Sequence, residues 1–168
     1  MNSRSLPFDP VVEAREHWEK AGWAEAAPGM AAVTSLMRAQ QILLARVEEV
    51  LRPHRLTFAR YEVLMLLSFS RSGALPLSRL GERLQVHPAS VTNVVDRLVA
   101  QGLVVRVPHP SDRRATLAEL TEAGRALALA ATADLNAVVF AAPGLDPGGV
   151  DRLVEVLTDL RRGAGDFG

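Results

Sequence analysis

The sequence predicts a mainly α-helical protein that carries one small antiparallel β-hairpin. Apolar residues recur every three or four positions over most of the chain, as they do on the buried faces of helices. Between residues 103 and 120, two short runs of strand-forming residues flank a turn that contains Pro108, Pro110 and Ser111. With 168 residues, 48% of them hydrophobic, the chain can build one domain with a buried core, or one domain plus an extension.

The N-terminal region is predicted to be an extended arm followed by a short helix. Pro7 and Pro10 favour extended backbone in residues 1–10, and a helix is predicted over residues 11–26. Both tryptophans of the protein, Trp18 and Trp23, lie in that helix. Each ring would either anchor the extension on the body of the protein or line a ligand cavity.

Two longer helices are predicted next. The first follows Pro28–Gly29 and runs to about Arg52, and Thr57 is a good N-cap for the second, which runs to about Ser70. The second helix is apolar nearly all round and should lie at the centre of the fold. Its acidic residue, Glu62, would either pair with an arginine at a polar edge or contact a ligand.

A helix-turn-helix pattern follows. Leu77, Leu80 and Leu84 share one face of a first helix, and Pro88 suits the first turn of a second helix. His87 would then cap the second helix or face a phosphate. The apolar back of this helix is formed by Val91, Val94, Val95, Leu98 and Val99, and its polar front by Ser90, Thr92, Asn93, Asp96 and Arg97. A helix with these two faces can enter the major groove of DNA.

The hairpin after this helix is predicted to be a basic wing. Gly102 suits the left-handed residue at the helix end, and strands are predicted over residues 103–107 and 115–120. The turn between them holds Asp112, Arg113 and Arg114, and its arginines could reach a minor groove. The Asp112 carboxylate can pair with the Arg114 guanidinium and fix its direction. Residues 74–76 could add a third strand.

The C-terminal region is predicted to form two helices. Thr121 caps a helix that runs to about Phe140, and Asp146–Pro147 opens a last helix that runs to about Arg161. In a monomer these helices would leave an apolar face with little to cover it. Association with a second copy of the chain would bury that face.

Composition excludes several classes of function. The formal net charge is zero, but residues 101–116 are basic and residues 9–25 are acidic, which favours docking at specific DNA sites over general coating. The absence of cysteine excludes disulfides and thiolate metal sites. No catalytic constellation can be assembled, so neither an enzyme nor a cofactor is predicted. The sequence shows no secretory leader and no apolar run close to 18 residues, which predicts a cytoplasmic protein without a membrane span.

A metal-sensing regulator remains an alternative. Its ligands would be histidines, but these come from separate predicted elements and lack the spacing of metal ligands; they are His17, His54, His87 and His109. No metal site is therefore predicted.

Four motifs, in this order and spacing, resemble the MarR family of regulators: VTNVVDRL at residues 91–98, GLVVR at 102–106, DRR at 112–114 and LTEAG at 120–124. The resemblance covers roughly residues 30 to 162. It implies a winged helix-turn-helix fold and a bacterial homodimeric transcriptional regulator, most often a repressor. The two recognition helices would enter successive major grooves of palindromic double-stranded DNA. The alternative is a winged helix that serves only as a protein-interaction or dimerisation module.

The predicted layout follows from these elements. Residues 1–27 form an N-terminal extension, residues 28–56 and 121–168 a helical dimerisation region from both chain ends, and residues 57–120 the winged helix-turn-helix DNA-binding lobe. Base edges would be read by Ser90, Thr92 and Asn93, and the minor groove by Arg114. The full set of predicted DNA-binding residues is Pro88, Ser90, Thr92, Asn93, Arg97, Arg106, Asp112, Arg113 and Arg114.

Within the family, the chain resembles the branch with an added N-terminal helix that responds to small organic anions such as urate or aconitate. Urate responders carry an arginine at the recognition-helix position that is Val94 here, which argues against urate. The predicted effector site uses Trp18 or Trp23 as an apolar wall and Glu62 as a hydrogen-bond partner. Arg38 or Arg55 would supply the counter-charge.

Overall fold

The computed structural model describes residues 6–112 and 115–168 and has the predicted mainly α-helical fold with a small antiparallel sheet. Its helices are α1 (Pro10–Lys20), α2 (Ala27–Leu51), α3 (Phe58–Phe69), α4 (Leu77–Leu84), α5 (Pro88–Ala100), α6 (Glu122–Leu135) and α7 (Pro147–Gly163). Its strands are β1 (Ala74–Pro76), β2 (Val104–Pro108) and β3 (Thr116–Leu120).

The chain divides into two compact units, with the boundary between Arg46 and Val47 inside α2. In the first unit, α1 starts at Pro10, where the Asp9 carboxylate accepts the Val11 N–H at 2.8 Å. The helix ends at Lys20, earlier than the predicted end at residue 26, because Gly22 turns the chain with a φ of +89°. The prediction of α1 was therefore correct in type and wrong in length.

Helix α3 lies at the centre of the second unit, as its apolar sequence predicted. Its side chains Tyr61, Val63, Leu64 and Leu67 are buried, and the helix packs against α5, α6 and β3. The Thr57 side chain accepts the Arg60 N–H and caps α3 as predicted. Burial of this apolar surface is the main force that holds the helix-turn-helix and the sheet together.

The sheet places the wing beside the helix-turn-helix. Its order is β1-β3-β2, and both pairs are antiparallel. The predicted third strand is confirmed, since Ala74–Pro76 pairs with residues 117–119 of β3. In the β2–β3 pair, Arg106 lies opposite Ala118 and Pro108 opposite Thr116.

A close backbone approach fixes the junction of wing and α6. The Thr121 hydroxyl accepts the Gly124 N–H at 2.9 Å and donates to the Gly102 carbonyl at 2.9 Å. A Cβ atom on Gly124 would lie 2.1 Å from the Leu103 carbonyl oxygen. The LTEAG motif thus combines a helix cap with a position where only glycine fits.

Helix α6 continues into a π-helical turn, Asn136–Phe140. The combined segment from Glu122 to Phe140 has 19 residues and is apolar enough to cross a membrane by length and composition alone. Core helices of soluble proteins have the same property, and this segment contributes Ala128, Ala131 and Leu135 to the core of the second unit. The sequence prediction that no apolar segment approaches a membrane span needs this correction.

Candidate nucleic-acid interface

Helix α5 separates most of its apolar and polar residues as the sequence predicted. Val91, Val95 and Leu98 are buried against the core and Val94 is partly buried, but Val99, which was predicted for the same buried face, is 37% exposed. All the polar residues of the predicted front are exposed, namely Ser90, Thr92, Asn93, Asp96 and Arg97. A rigid helix held by its apolar back can present this front to base edges.

The start of α5 is fixed by His87 and Pro88. The Nδ1 atom of His87 accepts the Ala89 N–H at 3.2 Å, and Pro88 occupies the first turn. His87 therefore caps the helix, which was one of its two predicted roles. In this arrangement Nδ1 is unprotonated, because it acts as an acceptor.

The front of α5 continues into a cleft beside α3. This cleft has a volume of about 390 Å³ and is lined by Thr57, Arg60, Asn93, Val94 and Arg97. It brings two predicted DNA-binding residues, Asn93 and Arg97, next to the N-terminal turn of α3. The polar surface is therefore wider than the recognition helix alone.

An ion pair joins the wing to the recognition helix. The Arg106 Nη2 atom on β2 lies 2.7 Å from the Asp96 carboxylate on α5. Arg106 also shares a cleft of about 390 Å³ with Asp112 and with Ser78 of α4. Arg106 can thus set the direction of the wing relative to α5 in addition to its predicted contact with DNA.

The wing tip is organised by His109. Its Nδ1 atom accepts the N–H groups of Ser111 at 3.3 Å and Asp112 at 3.2 Å, and the Ala115 N–H donates to the Asp112 carbonyl at 3.1 Å. Arg113 and Arg114 lie outside the described residues, and so does the predicted Asp112–Arg114 pair. This role of His109 was not predicted from the sequence, although a proline-rich turn contains N–H groups that need acceptors.

Comparison with known proteins agrees with this geometry. A model of the MarR family matches residues 56–116. Sco5413, a MarR family transcriptional regulator from Streptomyces coelicolor, is 54% identical with a TM-score of 0.76, over 83% of this chain and 97% of Sco5413. The chain belongs to the MarR family.

Two further relatives are more distant. The uncharacterized HTH-type transcriptional regulator YhbI of Bacillus subtilis is 40% identical over 81 residues, so the chain spans only 51% of its length. BpsR of Bordetella bronchiseptica, whose DNA binding is regulated by 6-hydroxynicotinic acid, is 29% identical with a TM-score of 0.68, over 76% of this chain and 90% of BpsR. MarR family members are transcriptional regulators and not enzymes.

In the first unit of this MarR family chain, the two predicted effector tryptophans lie together. The rings of Trp18 and Trp23 pack edge to face, with centroids 5.2 Å apart. They line a cavity of about 710 Å³ together with Glu25 and the turn at Gly22. Arg38 is exposed on α2, where its Nη1 atom donates to Gln41 at 3.4 Å.

In the second unit, the other two predicted effector residues lie on different elements. Arg55 is in the α2–α3 turn and adopts a left-handed φ of +55°. Glu62 is half-buried on α3, and desolvation by burial raises the pKa of its carboxyl above 4.5. A partly desolvated carboxyl is a candidate for ligand contact or proton linkage.

The described residues contain no cluster of side chains that would support the metal-sensing alternative. Within residues 6–112 and 115–168, no three side chains of His, Cys, Asp or Glu are grouped as metal ligands would be. Three of the four histidines have other contacts: His54 Nε2 lies 2.7 Å from the Asp134 carboxylate, while His87 and His109 accept backbone N–H groups.

Proposed function

We propose that this chain is a cytoplasmic, homodimeric transcriptional repressor that binds a palindromic double-stranded DNA operator and releases it when a small organic anion binds. The observation that carries this proposal is the recognition-helix surface. An exposed polar front on α5 backs onto a buried apolar stripe, and the Asp96–Arg106 ion pair ties the wing to the same helix. This arrangement suits insertion of α5 into a major groove with the wing beside it.

The predicted DNA-binding residues have distinct roles in this proposal. Ser90, Thr92 and Asn93 read base edges, since their short side chains are exposed on the front of α5. Arginine contacts to phosphate position the protein without specifying sequence. Those contacts are assigned to Arg97, Arg106 and Arg113, with Arg114 in the minor groove.

Homodimer formation is supported by the apolar surface that each unit leaves exposed. Helix α7 has no buried residue, and its Val154, Val156 and Leu160 are each more than half exposed. On α2 in the first unit, Val33 and Met37 are exposed in the same way. Exposed apolar helix faces such as these commonly form the interface of an obligate dimer.

Effector control is supported by the behaviour of BpsR and by the residues of this chain. Trp18 and Trp23 offer flat apolar walls, Arg38 or Arg55 a counter-charge, and Glu62 a hydrogen-bond partner. The spacing of the two recognition helices can either fit or misfit the operator. A ligand that binds more tightly to the conformation that misfits lowers the affinity for DNA by that difference in binding free energy. Titration with 6-hydroxynicotinic acid, followed by tryptophan fluorescence and DNA release together, tests this part of the proposal.

DNA binding is tested with two substitutions on the predicted surface. We expect Arg114→Ala to weaken binding to the DNA upstream of its own gene by about 1 to 3 kcal/mol with the fold intact. Asn93→Ala should instead reduce the preference for that DNA over a random-sequence duplex, because it removes a base-edge contact. Gel-shift titrations measure both effects, and Arg152→Ala, an exposed residue of α7, serves as the charge-matched control.

Wild-type affinity of both variants for both duplexes would remove this surface from the mechanism. That result would favour the alternative in which the winged helix is only an interaction module.

A further inference from the structure

An arginine-lined cleft lies where α2 ends and α3 begins, outside the predicted DNA-binding set. It has a volume of about 560 Å³ and is lined by Glu48, Arg52, Arg55, Leu56, Arg60 and Gln101. Three arginines and a single acidic residue therefore line one open cleft. This excess of positive charge is local, since the whole chain has a formal net charge of zero.

A relay of hydrogen bonds holds the cleft in shape. The Gln101 Nε2 atom donates to the Arg55 carbonyl at 3.2 Å, and its Oε1 atom accepts from Arg60 Nη1 at 3.2 Å. Arg60 also donates from Nε to the Thr57 hydroxyl at 3.2 Å. Gln101 follows α5 directly, so the end of the recognition helix fixes both the turn and the Arg60 guanidinium.

The charges in the cleft are not neutralised from within the protein. Among residues 6–112 and 115–168, neither Arg52 nor Arg55 forms a side-chain ion pair. The Glu48 carboxylate accepts the Phe58 N–H at 3.0 Å and so serves the start of α3. Arg55 is held at a φ of +55°, a strained conformation for a residue other than glycine.

We propose that this cleft binds a phosphate group through Arg52, Arg55 and Arg60. The paired N–H groups of a guanidinium match the spacing of two phosphate oxygens. The Arg60 guanidinium is already held by Thr57 and Gln101, so it loses little conformational freedom on binding. Arg60 also lines the cleft that contains Asn93 and Arg97 of the recognition helix. The phosphate is therefore either a backbone phosphate of DNA next to the groove that α5 occupies, which rests on the proposed function, or the phosphate of a small molecule.

The first experiment contains no DNA, so its outcome is independent of the proposed DNA binding. Inorganic phosphate is titrated at constant ionic strength while the arginine Nε–Hε NMR signals are followed. We expect saturable shifts in the wild type. Phosphate should bind at least about tenfold more weakly to Arg55→Ala and to Arg60→Ala, because each variant loses one charge-assisted hydrogen bond. Arg60→Lys, which keeps the charge but not the fork, should also weaken binding, and Arg152→Ala should not.

The second experiment distinguishes the two sources of phosphate. Affinity for a random-sequence duplex is measured against salt concentration for the same variants. If the cleft holds a DNA phosphate, the salt slope of Arg60→Ala falls by about 1, and a methylphosphonate at one backbone position weakens the wild type but not the variant. If a small molecule supplies the phosphate, slope and affinity stay at the wild-type values while phosphate binding is still lost.

Phosphate titrations that are the same in wild type, Arg55→Ala and Arg60→Ala, together with an unchanged salt slope, would overturn the proposal. The relay through Gln101 would then only brace the α2–α3 turn. Circular dichroism of each variant confirms that the fold is retained.

Discussion

Gly124 shows how one residue can hold two elements together. Its missing side chain lets the first turn of α6 approach the Leu103 carbonyl, where a Cβ atom would lie at 2.1 Å. A backbone oxygen cannot move aside without shifting the strand. The packing of α6 against Leu103 therefore requires glycine at this position of the LTEAG motif.

We expect Gly124→Ala to lower the free energy of unfolding by about 3 kcal/mol, because the added methyl group overpacks the junction. Urea denaturation measures this change. Gly29→Ala is the matched control, since a Cβ atom there meets nothing within 4 Å, and it should be neutral or slightly stabilising. Equal stability of the two variants would contradict the packing role of Gly124.

Glu62 makes the stability of the folded protein depend on pH. Burial raises the pKa of its carboxyl in the folded state above 4.5, so the folded protein holds this proton more tightly than the unfolded chain. The contribution of Glu62 to stability is therefore full below pH 4.5 and is lost as the pH rises through the folded-state pKa.

Glu62→Gln should accordingly raise the Tm at pH 7 relative to the wild type, and the gain should shrink near pH 4. Thermal unfolding at both pH values checks this, with Glu155→Gln on the exposed surface of α7 as control. A gain that is the same at both pH values would show that the charge of Glu62 is not the cause.

At the scale of elements, the recognition helix depends on its cap and on the wing. His87 satisfies the Ala89 N–H at the start of α5, and the Asp96–Arg106 ion pair fixes β2 against the same helix. The ion pair is partly exposed, so its contribution to stability is small, about 0 to 1 kcal/mol. The main effect of the ion pair is to fix the direction of the wing relative to α5.

We expect His87→Ala to destabilise the protein by about 0.5 to 2 kcal/mol through loss of the cap, whereas His87→Asn should keep wild-type stability because Asn is a good N-cap. Chemical denaturation measures the stabilities, and gel-shift assays the DNA affinities. If His87→Asn is stable but binds DNA as weakly as His87→Ala, then the ring also contacts a phosphate. Equal stability of His87→Ala and the wild type would contradict the capping role.

At the scale of the whole molecule, exposed apolar side chains on α7 are the main feature that the single chain leaves unexplained. Leu160 is 56% exposed, so a polar substitution there cannot disturb the core of its own chain. Its effect reports on association alone. Asp151 is exposed, lies on the opposite face of α7 by helical spacing and provides a control.

We expect Leu160→Asp to dissociate the proposed dimer, because burying an unpaired charge in an apolar interface is unfavourable, and Asp151→Lys on the opposite face to leave it intact. Cutting the chain after Ala142 should give a monomeric or insoluble product for the same reason. Light scattering measures the mass. A soluble dimer of the truncated chain would place the interface elsewhere.

Local patterns in the sequence were enough to predict the helix-turn-helix, the three strands, the Thr57 cap and the left-handed Gly102, whose φ is +71°. Each depends on residues within a few positions of one another, where spacing and side-chain type decide the backbone. The polar front of α5 followed from the same helical spacing. The early end of α1 at the Gly22 turn and the π-helical turn after α6 were not predicted.

Which distant residues meet depends on how the elements pack. Packing of α5 against β2 brings Asp96 to Arg106, and packing of the α2–α3 turn against the end of α5 brings Arg55 and Arg60 to Gln101. In the sequence these residues are ordinary surface types, and no spacing rule connects positions 60 and 101. The chain's local pattern therefore determined its elements and its recognition face, while the arginine-lined cleft depends on how the buried apolar faces of those elements fit together.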